Sequence, residues 1–289
     1  MPLPTIAFDT SALNALAKGR LRTEPYIKAL NCGFDVCLPA MSVDELIATT
    51  NPEIRELLID CCQRLLVSGR CIWPPHEIVK LLVSAHARDS VRFDWRHVDI
   101  RARVYEQGII RRDFPEELCV QQMIEQRQTE QEFMDYWAQL RIKLAPVIAK
   151  NPKKRPRSYR QAIEIATLAT PNLVWGIGRG LYRHVTGTTL ADGEIEAFLN
   201  VCPPFRALCY GLCGPWYDVS LALKVHRKLA GRNDQMMSAY LPFCSRFVTE
   251  DKKQLARLRD IALEAKLDCE VLSYKRFCAG LDVGRLPGN

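Results

Sequence analysis

Four acidic residues, two near each end of the chain, have the types and positions that a hydrolytic metal site needs. They are Asp9, Glu45, Asp234 and Asp251. Asp9 directly follows the apolar stretch Thr5–Phe8, and Asp251 closes a second one that begins at Phe247. An open α/β sheet binds its ligands at the carboxyl ends of its strands. If the four carboxylates meet there, they form a site for a divalent cation, and the chemistry that suits such a site is that of a nuclease.

Carboxylates that lie close together need a compensating charge. At an effective dielectric of about 20, two of them about 4 Å apart repel each other by roughly 4 kcal/mol. A cluster of four therefore either takes up protons or binds a cation. Mg²⁺ and Mn²⁺ are hard ions that prefer oxygen ligands. Such an ion lowers the pKa of a coordinated water and offsets negative charge on a phosphate. The acids thus predict Mg²⁺ or Mn²⁺ as the cofactor.

The elements that must position these acids are predicted at the two ends of the chain. Up to about residue 90, the predicted strands cover 5–8, 34–38 and 71–73, and the predicted helices cover 11–18, 25–30, 42 onward, 52–67 and 76–85. From residue 231 the alternation returns, with a helix over 234–241, a strand over 247–249, a helix over 253–265 and a strand over 269–272. Strands that alternate with short helices favour a parallel sheet.

The residues between these two regions have a different pattern. Long amphipathic helices are predicted over 115–144, 157–168, 171–182, 193–200 and 217–229, with almost no strand signal. The fold class is therefore predicted as α/β, a parallel-sheet domain interrupted by a mostly α-helical insertion. Both faces of a parallel sheet must be covered, so the two ends of the chain must meet. Right-handed crossovers then bring Asp9 and Asp251 to one edge of the sheet.

The acids and their neighbours resemble the pattern of the PIN-domain family. That pattern begins with a strand, an Asp and a small hydroxyl residue, here Asp9-Thr10-Ser11, and continues with a Glu in the helix after the second strand, here Glu45. Next comes an Asp that opens a helix, with a small residue five positions on, here Asp234 and Ala239. The pattern closes on Thr-x-Asp at a strand end, here Thr249-Glu250-Asp251.

The resemblance covers residues 1–90 and 231–289, which would form one discontinuous PIN-like nuclease domain around the insertion 91–230. It implies a metal-dependent endoribonuclease, a hydrolase whose substrate is RNA. Asp9 and Asp251 would bind the metal directly, Asp234 would complete the metal shell, and Glu45 would help bind a metal or orient the attacking water. The supporting residues, which would hold phosphate or ligand geometry, are Ser11, Asn233 and Thr249. A toxin-like member of the family would also need an inhibitor or antitoxin protein as a partner.

Each acid also has a purely structural interpretation. Ser42-Val43-Asp44-Glu45 has the spacing of a capping box, in which Glu45 would bind a backbone amide at the start of a helix. Asp9, Asp234 and Asp251 are each suited to cap the helix that follows them. Two neighbouring acids compete for the same roles, Asp44 with Glu45 and Glu250 with Asp251.

Composition predicts a globular protein without membrane or secretory segments. The chain has 289 residues, of which 48% are hydrophobic and 25% charged, and it contains no apolar run long enough to span a bilayer. The start of the sequence has no signal-like stretch, which favours a cytoplasmic location. The twelve cysteines show no Cys-x-x-Cys spacing, so buried structural thiols are predicted, with a zinc or redox site as the alternative.

A basic segment lies within the insertion. Residues 141–160 contain eight Lys or Arg and no Asp or Glu, within a chain of net charge +7. Such a segment suits a polyanion such as RNA, although a solvated linker has the same composition. The predicted nucleic-acid contacts are Lys153, Lys154, Arg155, Arg157 and Arg160. A non-catalytic PIN-like scaffold and a structure-specific DNA nuclease remain alternatives, and the sequence leaves open whether the insertion makes a homodimer.

Overall fold

Five parallel strands form the centre of the protein. The computed structural model describes residues 3–19, 23–114, 119–125, 127–128, 131–132, 135, 161, 172–214 and 232–282. The strands are β1 (Thr5–Phe8), β2 (Asp35–Pro39), β3 (Arg70–Ile72), β4 (Arg246–Thr249) and β5 (Glu270–Ser273). They form one all-parallel sheet in the order β3-β2-β1-β4-β5. The prediction of an α/β fold whose sheet joins the two ends of the chain is therefore confirmed.

Helices connect these strands and cover both faces of the sheet. The first half of the chain forms α1 (Thr10–Lys18), α2 (Thr23–Gly33), α3 (Ala40–Ile47), α4 (Pro52–Leu65), α5 (Pro75–Arg88) and α6 (Arg103–Arg111). The second half forms α7 (Asn172–Thr186), α8 (Asp192–Val201), α9 (Pro203–Leu212), α10 (Arg232–Met236), α11 (Lys252–Glu264) and α12 (Tyr274–Asp282). Short 3₁₀ helices lie at Trp95–His97 and Met237–Phe243.

The strands divide the core into two layers because successive side chains point to opposite faces. Ile6 and Phe8 of β1 pack with α1, α2 and α4, whereas Ala7 packs on the other face with α5 and the 3₁₀ helix Met237–Phe243. The strands are nearly continuous apolar runs, as expected for strands covered on both sides. This arrangement leaves the carboxyl edge of the sheet free to carry polar side chains.

The described helices of the predicted insertion are divided between these two layers, with α6 in the layer of α1, α2 and α4, and α7–α9 in the layer of α5. Val174, Phe198 and Phe205, from α7, α8 and α9, lie in the same buried cluster as Ala7 and Phe247 of the sheet. The boundaries 91–230 remain a prediction. Within the residues described, however, α7–α9 pack directly on elements of the sheet domain rather than around a core of their own.

Several elements differ from the sequence prediction. Helix α3 begins at Ala40, two residues before the predicted start, because Pro39 holds the extended backbone that precedes a helix. Helices α6, α9 and α12 were not predicted, although Pro203 and Pro204 at the start of α9 are a recognised signal for a first helical turn. The helices predicted over 157–168 and 217–229 lie outside the described residues, apart from residue 161. In the described parts of the chain, no helix is long and apolar enough to cross a membrane.

Candidate acidic site

The sheet brings the first and last acids to the same edge. Phe8 of β1 pairs with Val248 of β4, and the amide of Asp9 donates to the Val248 carbonyl at 3.1 Å. Asp9 is thus the first residue beyond β1, beside the point where β4 ends. Asp251 follows β4 by two residues. The prediction that both acids lie at the carboxyl edge of the sheet agrees with this register.

Asp9 is buried and fully engaged in hydrogen bonds. Only 6% of the surface of this residue is exposed to solvent. Oδ1 accepts from the Ala12 amide and from the Ser11 hydroxyl, both at 2.8 Å, and Oδ2 accepts from the Thr249 hydroxyl. The Ala12 contact makes Asp9 the N-cap of α1. The capping interpretation is therefore correct for Asp9, and it coexists with a position at the centre of the acids.

Ser11 and Thr249 join the ends of β1 and β4. The Ser11 hydroxyl accepts from the Glu250 amide at 2.9 Å while it donates to Asp9. The Thr249 hydroxyl accepts from the Asp251 amide at 3.1 Å while it donates to Asp9. Asp251 itself caps α11, since its Oδ1 accepts from the amides of Lys253 at 2.7 Å and Gln254 at 2.8 Å. These bonds fix the Asp251 backbone relative to Asp9.

Glu45 is held by two side chains from distant parts of the sequence. Its Oε2 accepts from the Thr10 hydroxyl, and its Oε1 accepts from the Asn233 amide nitrogen at 2.8 Å. The capping-box interpretation of Glu45 is wrong, because α3 begins at Ala40 and the Glu45 carboxylate binds these side chains. Ser42 instead donates to the Phe8 carbonyl at 3.4 Å.

Asp234 lies at the exposed side of the cluster. It is the third residue of α10 and not the cap in front of the helix, so the capping interpretation is wrong for this residue. Its carbonyl accepts from the Gln254 side-chain amide at 2.7 Å. The same Gln254 donates its backbone amide to Asp251. Gln254 therefore ties the segment that carries Asp234 to the helix that Asp251 caps.

The charges of the acids raise the pKa of two members of the cluster, Asp9 and Glu45. Burial raises the pKa of Asp9, and the nearby charge of Asp251 raises it further against the opposing hydrogen bonds from Thr249, Ala12 and Ser11. Burial likewise raises the pKa of Glu45, and the charges of Asp234 and Asp9 add to that effect. The charge of Asp251 thus acts on Asp9, and the charges of Asp9 and Asp234 act on Glu45. Four positions far apart in sequence share one electrostatic environment.

The two competing acids have other interactions. Asp44 accepts a hydrogen bond from the Tyr105 hydroxyl at 3.3 Å, and burial raises its pKa to about 6. Glu250 is exposed, and its charge acts on the Cys278 thiol of α12. The choice of Glu45 and Asp251 over these neighbours therefore agrees with the geometry.

The donor atoms suit a hard cation, but they are not close enough together to enclose one. The cluster offers carboxylate, amide and hydroxyl oxygens, which are the ligands Mg²⁺ and Mn²⁺ prefer. Among the described residues, no three His, Cys, Asp or Glu side chains are arranged to hold a metal ion. Mg²⁺ commonly uses only one or two direct carboxylates and keeps water on its other positions. The residues present therefore fit a largely hydrated ion better than an ion enclosed by protein.

Two contacts at the site were not assigned from the sequence. Thr10 lies within the motif Asp9-Thr10-Ser11, yet its role as a donor to Glu45 depends on the long-range packing of α1 against α3. Gln254 gives no sequence signal beyond its place in the first turn of α11. The basic residues predicted to contact nucleic acid, Lys153, Lys154, Arg155, Arg157 and Arg160, lie outside the described residues.

Comparison with known proteins supplies no relative from which a role could be transferred. No protein-family model, no curated protein and no solved structure matches this chain. Function therefore has to be inferred from the acids and their surroundings.

Proposed function

We propose that the protein is a divalent-metal-dependent ribonuclease of the PIN class, which hydrolyses phosphodiester bonds at the acidic cluster. One observation carries this proposal. Asp9 lies at the carboxyl edge of the parallel sheet, where burial and the charge of Asp251 raise its pKa, while burial and the charges of Asp234 and Asp9 raise the pKa of Glu45. Burying like charges together opposes folding, and a bound cation would offset that cost.

The exposure and hydrogen bonds of each acid suggest a separate role for it in the proposed reaction. Asp9 and Asp251 would bind the ion, directly or through its water shell, because Ser11 and Thr249 hold them at adjacent strand ends. Asp234, which is exposed, would complete the metal shell on the solvent side. Glu45 would orient the attacking water, since Thr10 and Asn233 fix both of its oxygens. A bound Mg²⁺ or Mn²⁺ supplies charge neutralisation and a more acidic water.

The test is cleavage of labelled RNAs, both single-stranded and structured, in the presence of Mn²⁺. Wild type is compared with Asp9→Asn and Asp251→Asn, each of which removes one charge while keeping the side-chain shape. Glu250→Gln is the matched control, because Glu250 is an exposed acid next to Asp251 whose charge acts on the Cys278 thiol of α12. We expect cleavage by wild type and Glu250→Gln, and at least about a 100-fold loss of rate in the two site variants.

The same variants separate metal binding from catalysis. Mn²⁺ should raise the melting temperature of wild type and of Glu250→Gln, and this rise should disappear in Asp9→Asn. Equal cleavage by all four proteins would assign the activity to a contaminant or to another site, and would overturn the proposal. Parallel assays on DNA of the same sequences decide whether RNA is the preferred substrate.

A non-catalytic PIN-like scaffold is the second candidate. It is favoured by the engagement of both Asp9 oxygens in hydrogen bonds and by the lack of a three-residue metal group in the described chain. A scaffold of this kind would use the acids as helix caps and strand ties. It predicts no cleavage and no response of the melting temperature to Mn²⁺.

A further inference from the structure

Two thiols meet at the edge of the sheet opposite to the acids. Cys244 lies two residues before β4 and Cys269 lies one residue before β5. Their sulfur atoms are 3.8 Å apart. The two strands are parallel neighbours, and the Glu270 amide donates to the Ser245 carbonyl at 2.9 Å directly beside the sulfurs. The backbone on either side of the thiol pair is therefore already held by the sheet.

The two cysteines differ in their access to solvent. Cys244 is buried, and its thiol lies 3.7 Å from the carbonyls of Tyr240 and Leu241, either of which can accept its proton. Burial raises the pKa of the Cys244 thiol well above its ordinary value. Cys269 is partly exposed. A reagent from solvent would therefore reach Cys269 first, with Cys244 placed behind it.

We propose that Cys244 and Cys269 form a thiol–disulfide site, which closes when the protein meets a small disulfide oxidant such as oxidised glutathione. The Cys269 thiolate attacks one sulfur of the oxidant and releases one molecule of reduced thiol, which leaves a mixed disulfide on Cys269. The Cys244 thiol then loses its proton and attacks the Cys269 sulfur, and a second reduced thiol departs. The protein loses two hydrogen atoms in total, and the oxidant gains both.

The geometry requires only a small movement. A disulfide brings its sulfurs to about 2.05 Å, so the two sulfurs must approach by a little under 2 Å through side-chain rotation. The closed loop spans 244–269 and contains β4, Asp251 and α11. Closing a loop of this length restricts the unfolded chain, so the melting temperature should rise by roughly 5–10 °C.

The sequence allows the bond to be detected directly. Trypsin cuts after Arg232 and Arg246, which places Cys244 alone in one peptide, and after Lys266 and Lys275, which places Cys269 alone in another. The native reduced protein is incubated with oxidised glutathione, free thiols are blocked with N-ethylmaleimide in denaturant, and the digest is analysed by mass spectrometry. We expect one linked pair of these two peptides, which dithiothreitol separates.

Single substitutions provide the controls. In Cys244→Ser, glutathione should remain attached to Cys269, because the second thiol is missing. In Cys269→Ser, Cys244 should resist modification in the native protein, and the rise in melting temperature should be absent. The same oxidation in concentrated urea should give mixed pairings among the twelve cysteines. Absence of the linked peptides from native protein, or their formation only in urea, would overturn the proposal.

Discussion

Asp44 and Glu45 are neighbours in α3, yet only Glu45 belongs to the acidic cluster. Consecutive residues of a helix point about 100° apart, so Asp44 and Glu45 cannot face the same neighbours. Glu45 meets Thr10 and Asn233, whereas Asp44 meets Tyr105 of α6. Sequence spacing identifies an acidic pair here. The packing of α3 against α1 places Glu45, and not Asp44, against Thr10.

The raised pKa of Asp44 predicts a measurable dependence of stability on pH. The pKa of this carboxyl rises from an ordinary value of about 4 to about 6 in the folded protein. Between these values the folded state binds more protons than the unfolded state. The stability that this group contributes is therefore complete at low pH and is lost as the pH rises through about 6.

Asp44→Asn should remove this loss of stability, because an amide does not titrate. The amide oxygen can still accept the hydrogen bond from Tyr105. Wild type and variant should have equal urea midpoints near pH 4. At pH 7 the variant should be more stable by roughly 1–2 kcal/mol, a figure reduced for solvent screening. The exposed Glu250→Gln should show no such difference. A stability gap that is the same at both pH values would contradict this account of Asp44.

At the scale of elements, two of the acids combine a capping role with a place in the acidic cluster. Asp9 and Asp251 each begin a helix, α1 and α11, at the position where a strand has just ended. A strand-to-helix turn in a parallel sheet needs a cap, and Asp is among the best caps. The structural and functional interpretations of these residues are therefore not alternatives.

Two substitutions at Asp251 separate these roles. Asp251→Asn keeps an oxygen for the amides of Lys253 and Gln254, whereas Asp251→Ala removes it. We expect Asp251→Ala to lower the free energy of unfolding by about 1 kcal/mol, and Asp251→Asn to change it by a few tenths. Both variants should lose the response of the melting temperature to Mn²⁺. Denaturant titration with and without Mn²⁺ measures both effects.

Asn51→Ala is the matched control for capping. Asn51 caps α4 through the Ile54 amide at 3.1 Å and takes no part in the acidic cluster. Its substitution should cost about the same stability as Asp251→Ala while leaving the Mn²⁺ response intact. Loss of the Mn²⁺ response in Asn51→Ala would mean that the response reports general stability rather than the acids.

The sequence predicts the elements better than it predicts their contacts. The five strands were each located to within about two residues, because short apolar runs between Pro, Gly and helix caps are distinctive. The acids were predicted to form a site because they follow strands or carry a family-like spacing. Thr10 and Gln254 were missed as site residues because their roles depend on tertiary packing between α1, α3, α10 and α11. Local patterns contain no information about such long-range contacts.

For the whole molecule, the important question is whether the helical region folds by itself. If the insertion had a core of its own, it could unfold while the sheet stayed folded. The described helices α7–α9 instead place Phe205 and Phe198 in one buried cluster with Phe247 of β4. Domains that share a core are expected to unfold together.

Matched core substitutions on the two faces of the sheet test this expectation. Phe205→Leu alters the layer that contains α9, and Phe8→Leu alters the opposite layer; both phenylalanines are fully buried. Each should lower the free energy of unfolding by roughly 1–2 kcal/mol and shift one common transition. Circular dichroism and calorimetry should give coincident curves in both variants. If Phe205→Leu produces a separate unfolding transition at lower temperature and Phe8→Leu does not, then α7–α9 form a separate folding unit. The sheet and its acids would then fold without these helices.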